Sequence, residues 1–330
     1  MKHPLKSILH ISLPFALGFC LLWWMYRGTD WASFLRVCLD GTDWGWMAVS
    51  LAFGVLPQLA RAWRWRISLE PLGERPRRST CVDAIFLSYA TSLVVPRLGE
   101  VTRCGTLKKC DGVSFAHSIG TVVTERLVDS VLMLLLAGVA LLSQLPMFVK
   151  FLRGTGTSVG EILGRFTGTG YVVTAVCVVL AVAAGFVFLR KVTFLQKGRT
   201  LLGEVWEGIL SLRRIRRRWL YLFYSLLIWA GYFLHFYIAF FCFDYTAGIG
   251  PGAAFLIFCV GTFAVLVPTP NGAGPWHFAV KTMLVLYGVG ESRAIAFALV
   301  VHTVQTALVV VLGAFGWARI ALRRKLPGGE

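Results

Sequence analysis

In this chain of 330 residues, 57% of the residues are hydrophobic and 15% are charged, whereas a soluble domain has about 25% charged residues. Several apolar runs approach the roughly 20 residues that a membrane helix needs, and short alternating strands are not seen, so we predict a polytopic α-helical membrane protein. The net charge of +17 lies in loops beside apolar runs, which is typical of cytoplasmic loops and argues against nucleic acid as the partner.

The eight cysteines do not form a metal-binding pattern. No pair has CxxC spacing and most lie in or near apolar runs, so we interpret them as small packing residues. The sequence also has none of the usual nucleotide-binding, zinc-protease or serine-hydrolase motifs. We therefore expect no metal, no cofactor and no enzymatic activity.

The apolar runs predict six full membrane spans, all in one integral membrane domain covering residues 1–330. The spans are at about residues 8–26, 44–62, 115–142, 170–189, 219–243 and 292–320. The basic segments 61–78 and 190–218 mark the cytoplasmic side. Counting crossings from these segments predicts a multi-pass protein of the cytoplasmic (inner) membrane with both termini in the cytoplasm.

Two further apolar stretches are too short to span and are broken by proline and glycine. The first pairs Val82–Val95 with Leu98–Leu107 around a break at Pro96–Gly99. The second pairs Ala253–Val267 with Trp276–Val289 around residues 268–275. We predict two re-entrant helical hairpins, because irregular backbone at membrane depth is tolerated only against protein or a watery cavity.

The two hairpins occupy corresponding places in two halves of the chain, at about residues 44–143 and 219–320. Charge counting places the first hairpin on the inner side and the second on the outer side. The sequence thus predicts an inverted repeat, an arrangement in which a substrate site lies between the repeats.

Three charged residues follow the first break at spacings that place them on one face of a short helix: Arg97, Glu100 and Arg103. A charge at membrane depth costs roughly 3 kcal/mol or more, so such residues are kept where they are paired or bind a ligand. We expect the arginines to bind an anionic headgroup, because guanidinium matches phosphate in a two-pronged way. The alternative is a shallow hairpin with ordinary interfacial charges.

A second charged group lies within the third span, at Glu125, Arg126 and Asp129. Glu125 and Asp129 share a helix face, and Arg126 can reach Asp129 at a spacing of three residues. We expect the arginines of the first hairpin to be partners of this group. A buried ion-pair network that pins the hairpin is an equally good interpretation.

The second hairpin offers a candidate anion site at its turn. Asn271, Gly272 and Gly274 allow the backbone to present N–H groups, and the half-helix that starts near Pro275 presents its positive end. Polar residues that follow are His277 and Lys281, one helical turn apart, and His302 in the last span. Each histidine is a candidate for headgroup or proton binding, or a structural hydrogen-bond partner of a neighbouring helix.

Four motifs together resemble the lysylphosphatidylglycerol synthase transmembrane region family. They are Arg61-Ala-Trp-Arg-Trp, Pro96-Arg-Leu-Gly-Glu100 with Arg103, Glu125-Arg-Leu-Val-Asp129 and Pro270-Asn-Gly-Ala-Gly274. The chain departs from the family pattern at His277 and His302, where that family usually has Glu and often has Arg. The synthases add a soluble aminoacyl-transfer domain, so the resemblance implies a stand-alone, flippase-like member.

From the residues and the resemblance we expect a lipid flippase that moves an anionic phospholipid or a polyprenyl-phosphate-linked lipid across the cytoplasmic membrane. The headgroup would be held between the two hairpins. A secondary transporter of a small soluble anion and an integral-membrane lipid-modifying enzyme are the alternatives. The expected partners are a membrane lipid with an anionic headgroup and, as an open alternative, further copies of the chain.

Overall fold

The computed structural model describes residues 41–95, 98–145, 213–267 and 269–325, together with positions 23, 203, 206, 207, 210 and 211. The spans predicted at about 8–26 and 170–189 lie outside these residues. The described α-helices are α1 (Trp44–Leu69), α2 (Arg78–Val94), α3 (Leu98–Asp111), α4 (Phe115–Ser143), α5 (Arg218–Ile238), α6 (Asp244–Ala247), α7 (Pro251–Ala264), α8 (Pro275–Leu286) and α9 (Glu291–Lys325).

Among the described residues, three segments are long and apolar enough to cross a membrane: Phe115–Ser143, Arg218–Cys242 and Glu291–Arg323. They coincide with the predicted third, fifth and sixth spans. The segments described are helical without strands, which agrees with a helical membrane protein.

The predicted second span, at about 44–62, ends too early. Its helix α1 continues to Leu69 and is not among the three apolar segments. Gln58, Arg61 and Arg64 interrupt its apolar run, and all three are buried in the protein. The arginines therefore lie inside the helix bundle, where a sequence pattern alone places them at the membrane surface.

α1 packs against α5 through a close approach at its proline. A Cβ on Gly231 would lie 2.8 Å from Cγ of Pro57, so only glycine fits there. One turn further along α5, the carbonyl of His235 accepts a 2.7 Å hydrogen bond from Ser50 Oγ of α1. These contacts fix the position of α1 and hence of the two arginines that follow in it.

α2 and α3 form the first helical hairpin. At its turn, a Cβ on Gly99 would overlap the Ser88 carbonyl oxygen, which requires glycine for the close approach of the two helices. At its base, Arg77 donates from its backbone N and its Nε to Asp111, both at 2.8 Å. α2 and α3 are therefore held together both at the turn and at the base of the hairpin.

α7 and α8 form the second helical hairpin, and its turn depends on left-handed backbone conformations. Asn271 has φ 52°, and Gly272 and Gly274 have φ 70° and 91°. Glycine adopts such angles at no steric cost, and asparagine tolerates them. A one-turn 3₁₀ helix, Pro270–Gly272, lies within the turn and packs against α2 of the first hairpin.

The long helix α9 relates the two hairpins to each other. α2 runs antiparallel to it, with Thr80 beside Arg323, Phe86 beside Gly316 and Ala90 beside Gly313. At a rise of about 1.5 Å per residue, this register places the end of α2, Val94, within about one helical turn of Thr306. Thr306 in turn accepts a 2.7 Å hydrogen bond from Asn271 in the turn of the second hairpin.

The second hairpin lies along the other half of α9. Lys281 of α8 forms a 2.6 Å ion pair with Glu291, the first residue of α9, and His277 contacts His302 further along. The base of the first hairpin is at the C-terminal end of α9. The two hairpins thus approach from opposite ends of α9, and their turns lie near its middle.

Candidate functional site

A cluster of five charged side chains lies beside the first hairpin and is almost completely buried. We call it the arginine cluster: Arg61, Arg64, Arg103, Glu125 and Asp129. Each is at most 7% exposed. α1 supplies two arginines, α3 supplies the third, and α4 supplies both carboxylates.

Asp129 joins the two arginines of α1. Its Oδ2 lies 2.7 Å from Arg61 Nη1, and its Oδ1 lies 2.7 Å from Arg64 Nη1. Arg64 Nη1 also donates to Ser225 Oγ of α5 at 3.1 Å. Arg61 and Arg64 are three residues apart, so one face of α1 presents both to a single carboxylate.

Arg103 links the first hairpin to α4. Its Nη2 lies 2.9 Å from Glu125 Oε2, so the expected pairing of Glu125 with an arginine of this hairpin is confirmed. The guanidinium carbon lies 4.7 Å from the ring centre of Trp65, a cation–π distance. Trp65 is itself held by a 3.0 Å hydrogen bond from its Nε1 to Thr121 Oγ1.

The predicted pairing of Arg126 with Asp129 is wrong. Arg126 Nε contacts Glu100 Oε1 at 2.7 Å, and this pair is partly exposed. Asp129 instead forms ion pairs with Arg61 and Arg64 of α1, which lie inside the helix bundle. Arg97 lies outside the described residues, so its expected place beside Glu100 and Arg103 stays a prediction.

Arg61 and Arg64 are the residues that the sequence reasoning missed. Arginines at the end of an apolar run normally mark the membrane surface. A signal was present in the motif Arg61-Ala-Trp-Arg-Trp, which places two arginines and two tryptophans within one and a half helical turns. The sequence alone assigns these arginines to the cytoplasmic side, because their partner, Asp129, is 65 residues away from Arg64 in the sequence.

Asp83 is a second buried carboxylate that the sequence did not indicate. It is 0% exposed and lies 3.5 Å from Arg319 Nη1 and 3.3 Å from Arg323 Nη2. It connects α2, near the base of the first hairpin, to the C-terminal half of α9. Its partners come from the other half of the chain, so no local spacing reveals them.

The second hairpin carries a pair of histidines at its turn. The ring centres of His277 and His302 are 4.3 Å apart, and both residues are at most 9% exposed. His302 Nε2 is 3.1 Å from the carbonyl oxygen of Asn271, so Nε2 is the donor. Its Nδ1 lies 3.5 Å from Thr306 Oγ1. These bonds tie the turn to α9.

The hydrogen bonds of the histidine pair are those of neutral rings. The backbone N–H of Gly274 donates to His277 Nδ1 at 3.3 Å, and Nδ1 can accept only when it carries no proton. His302 Nδ1 is likewise placed to accept from Thr306. The second hairpin therefore presents an uncharged polar group where the first presents a charged one.

The predicted anion site at the turn of the second hairpin needs correction. The N–H of Gly272 donates to the carbonyl of Thr269 at 3.2 Å, and that of Gly274 donates to His277. These donors close the turn on itself and are not presented to a ligand. Lys281, expected near His277, instead pairs with Glu291 at the start of α9.

In the part of the chain that the structure describes, no group of three or more His, Cys, Asp or Glu residues is arranged to hold a metal ion. The candidate site is a buried cluster of arginines and carboxylates beside the first hairpin. The turns of the two hairpins lie near each other at the middle of α9.

Comparison with known proteins names the family. Residues 11–313 match the family model described as lysylphosphatidylglycerol synthase TM region, and the chain belongs to this family. The chain is also similar to the glycosyltransferase AglD of Haloferax volcanii, with 24% identity over 304 residues. That match covers 83% of this chain and 49% of the relative, so the chain spans about half of the relative's length. No solved structure matches the chain.

Proposed function

We propose that the protein is a flippase-like lipid transporter that moves an anionic phospholipid or a polyprenyl-phosphate-linked lipid across the cytoplasmic membrane. The observation that carries the proposal is the convergence of two hairpins from opposite ends of α9, the first of which contributes Arg103 to the buried arginine cluster. Membership in a family of lipid-synthase membrane regions agrees with it. The arginine cluster is the headgroup site in this proposal.

The approach of the hairpins from opposite ends supports a mechanism of alternating access. Opening beside the first hairpin would expose the arginine cluster to one leaflet, and opening beside the second would expose it to the other. This is the behaviour of transporters in which two repeats meet around a central site. Both termini are placed in the cytoplasm in this proposal.

Apolar side chains around both turns favour a lipid over a soluble anion. Val94, Leu98 and Val101 of the first hairpin are 64%, 43% and 48% exposed, and Val265 and Leu266 of the second are 46% and 60% exposed. A soluble solute needs a polar path closed to the bilayer. These exposed residues suit an acyl or prenyl tail that stays in lipid while its headgroup enters the protein.

We also propose that the chain acts without a catalytic step. The relative is named a glycosyltransferase, but the match covers only 49% of it, and the described site is built from ion pairs. The purified protein is expected to form no lipid product when it is incubated with lipid and nucleotide sugar. Product that accumulates in proportion to protein would establish the enzyme alternative.

The transport proposal is tested in liposomes that contain the purified protein and a fluorescent anionic lipid. We expect the protein to make inner-leaflet label accessible to a membrane-impermeant quencher, while it leaves the flux of inorganic phosphate at the protein-free level. Phosphate flux without lipid movement would favour the soluble-anion alternative. Absence of both would reject transport.

A further inference from the structure

Counted over the described residues, the arginine cluster contains one positive charge more than its carboxylates can neutralise. Three guanidinium groups, those of Arg61, Arg64 and Arg103, face the carboxylates of Glu125 and Asp129. The neighbouring ion pair of Arg126 and Glu100 is neutral in itself and is partly exposed. A buried unpaired charge is strongly unfavourable, so the excess charge indicates a place for one negative charge from a ligand.

Hydrogen-bond donors of the cluster are also left over. Within the part of the chain that the structure describes, Arg103 has no hydrogen-bond partner at Nε or Nη1, Arg64 has none at Nη2, and Arg61 has none at Nε. Arg64 and Arg103 are at most 1% exposed and Arg61 is 5% exposed, so bulk water does not serve these groups. Buried polar groups are nearly always satisfied in proteins, and several convergent N–H donors suit the oxygens of a phosphate.

In the described part of the chain, Glu125 lacks hydrogen-bond donors, whereas these N–H groups of the arginines lack acceptors. Among the described residues, neither of the carboxylate oxygens of Glu125 has a hydrogen-bond partner of good geometry, although Arg103 Nη2 lies 2.9 Å from Oε2. A ligand that fills the cluster therefore has to accept hydrogen bonds from arginines and to donate one to a carboxylate. A phosphate group with a neighbouring hydroxyl has both properties.

We infer that the arginine cluster selects a lipid phosphodiester of single negative charge whose headgroup carries hydroxyls. This inference rests on the proposed function and names its substrate class. One phosphodiester neutralises the excess charge of the cluster. A phosphomonoester carries about −1.5 to −2 at neutral pH and leaves the site negative. A zwitterionic headgroup brings a further cation and leaves the site positive.

Binding competition on the full chain in detergent micelles tests the inference. Unlabelled lipids displace a fluorescent phosphatidylglycerol, a phosphodiester with hydroxyls. We expect phosphatidylglycerol or a polyprenyl phosphosugar to compete at concentrations about tenfold below those of phosphatidic acid, a phosphomonoester, and phosphatidylcholine, a zwitterion. A preference between the first two lipids identifies a glycerol or a sugar headgroup.

Two substitutions that shift the cluster charge in opposite directions make the test sharper. Glu125→Gln adds one positive charge and is expected to move the preference towards phosphatidic acid by about tenfold. Arg103→Gln removes the excess charge and is expected to abolish the preference for anions. Thermal unfolding of each variant checks that it is folded. If Glu125→Gln does not fold, Arg103→Lys replaces it; that variant keeps the charge and has to keep the preference that Arg103→Gln loses.

Phosphatidic acid that competes as well as phosphatidylglycerol, or a preference that Glu125→Gln and Arg103→Gln leave unchanged, would overturn the inference. Lipid movement measured on the same preparations separates it from the proposed function. Selective binding without lipid movement would reject the transport proposal and support the inference about headgroup selection by the arginine cluster. Lipid movement without selective binding would support the transport proposal and reject the inference that the excess charge of the cluster selects a phosphodiester.

Discussion

The two hairpins carry polar groups of different kinds beside the same helix α9. In the first hairpin, Arg103 belongs to a charged cluster that leaves donors and one positive charge unmatched. In the second, His277 and His302 use their neighbouring backbone and side-chain groups as neutral rings. In the proposed mechanism, the first hairpin binds the ligand and the second supplies a firmly held turn against which the first moves.

The largest effect is expected at the carboxylate that holds both arginines of α1. Asp129→Asn leaves Arg61 and Arg64 buried without a counter-charge, so it should lower the free energy of unfolding by about 3–5 kcal/mol. Chemical unfolding in detergent micelles measures this. Glu100→Gln, which affects only the partly exposed pair with Arg126, is the control and should cost about 1 kcal/mol or less. Equal losses would show that burial does not distinguish the two pairs.

The turn of the first hairpin provides the next test. Gly99→Ala places a Cβ against the Ser88 carbonyl and should cost about 1–3 kcal/mol together with a loss of lipid movement. Gly105→Ala lies in the same helix with nothing within 4 Å of the added carbon. It should stabilise α3 by up to about 1 kcal/mol. A tolerated Gly99→Ala would contradict the close packing at this turn.

A smaller effect is expected in the second hairpin. Thr306→Val removes the acceptor of Asn271 and the neighbour of His302, and should cost about 1 kcal/mol of stability. Headgroup binding should stay at the wild-type level, because the site lies in the first hairpin. Competition with the fluorescent lipid measures the second point. A large loss of affinity with little loss of stability would place the headgroup at the second hairpin instead.

The smallest effect is expected at the base of the second hairpin. Lys281→Gln breaks an ion pair whose partner, Glu291, is largely exposed, and such pairs contribute little to stability. Neither the unfolding midpoint nor headgroup binding should change measurably. Loss of binding in this variant would restore Lys281 to the headgroup site in which the sequence reasoning placed it.

Much of the fold was visible in the sequence because it depends on local patterns. Proline and glycine at two breaks predicted two helical hairpins, whose re-entrant placement in the membrane stays a prediction. Apolar length predicted the three described helices that can cross a membrane. The spacing of Arg103 and Glu125 in charged stretches led to a correct pairing. The ion-pair and hydrogen-bond partners of residues that contact helices distant in the sequence were predicted less well.

The errors share one physical cause, which is competition from partners far away in the sequence. Arg126 can reach Asp129 within α4, but two arginines of α1 occupy that carboxylate. Asp83 finds its arginines in α9. The N–H groups of the turn at Gly272 close the turn itself. Local spacing gives the residues that can interact, and packing decides which of them do.

The central claim is that the arginine cluster holds the headgroup during its passage, and lipid movement by Arg103→Gln tests it most directly. In liposomes with a fluorescent phosphatidylglycerol, the wild-type protein should move the lipid and Arg103→Gln should reduce the rate at least tenfold. Arg66→Gln is the matched control, since Arg66 lies in α1 but pairs with Glu70 outside the cluster; its rate should equal that of the wild type. Lipid movement that is the same in all three proteins would contradict the account.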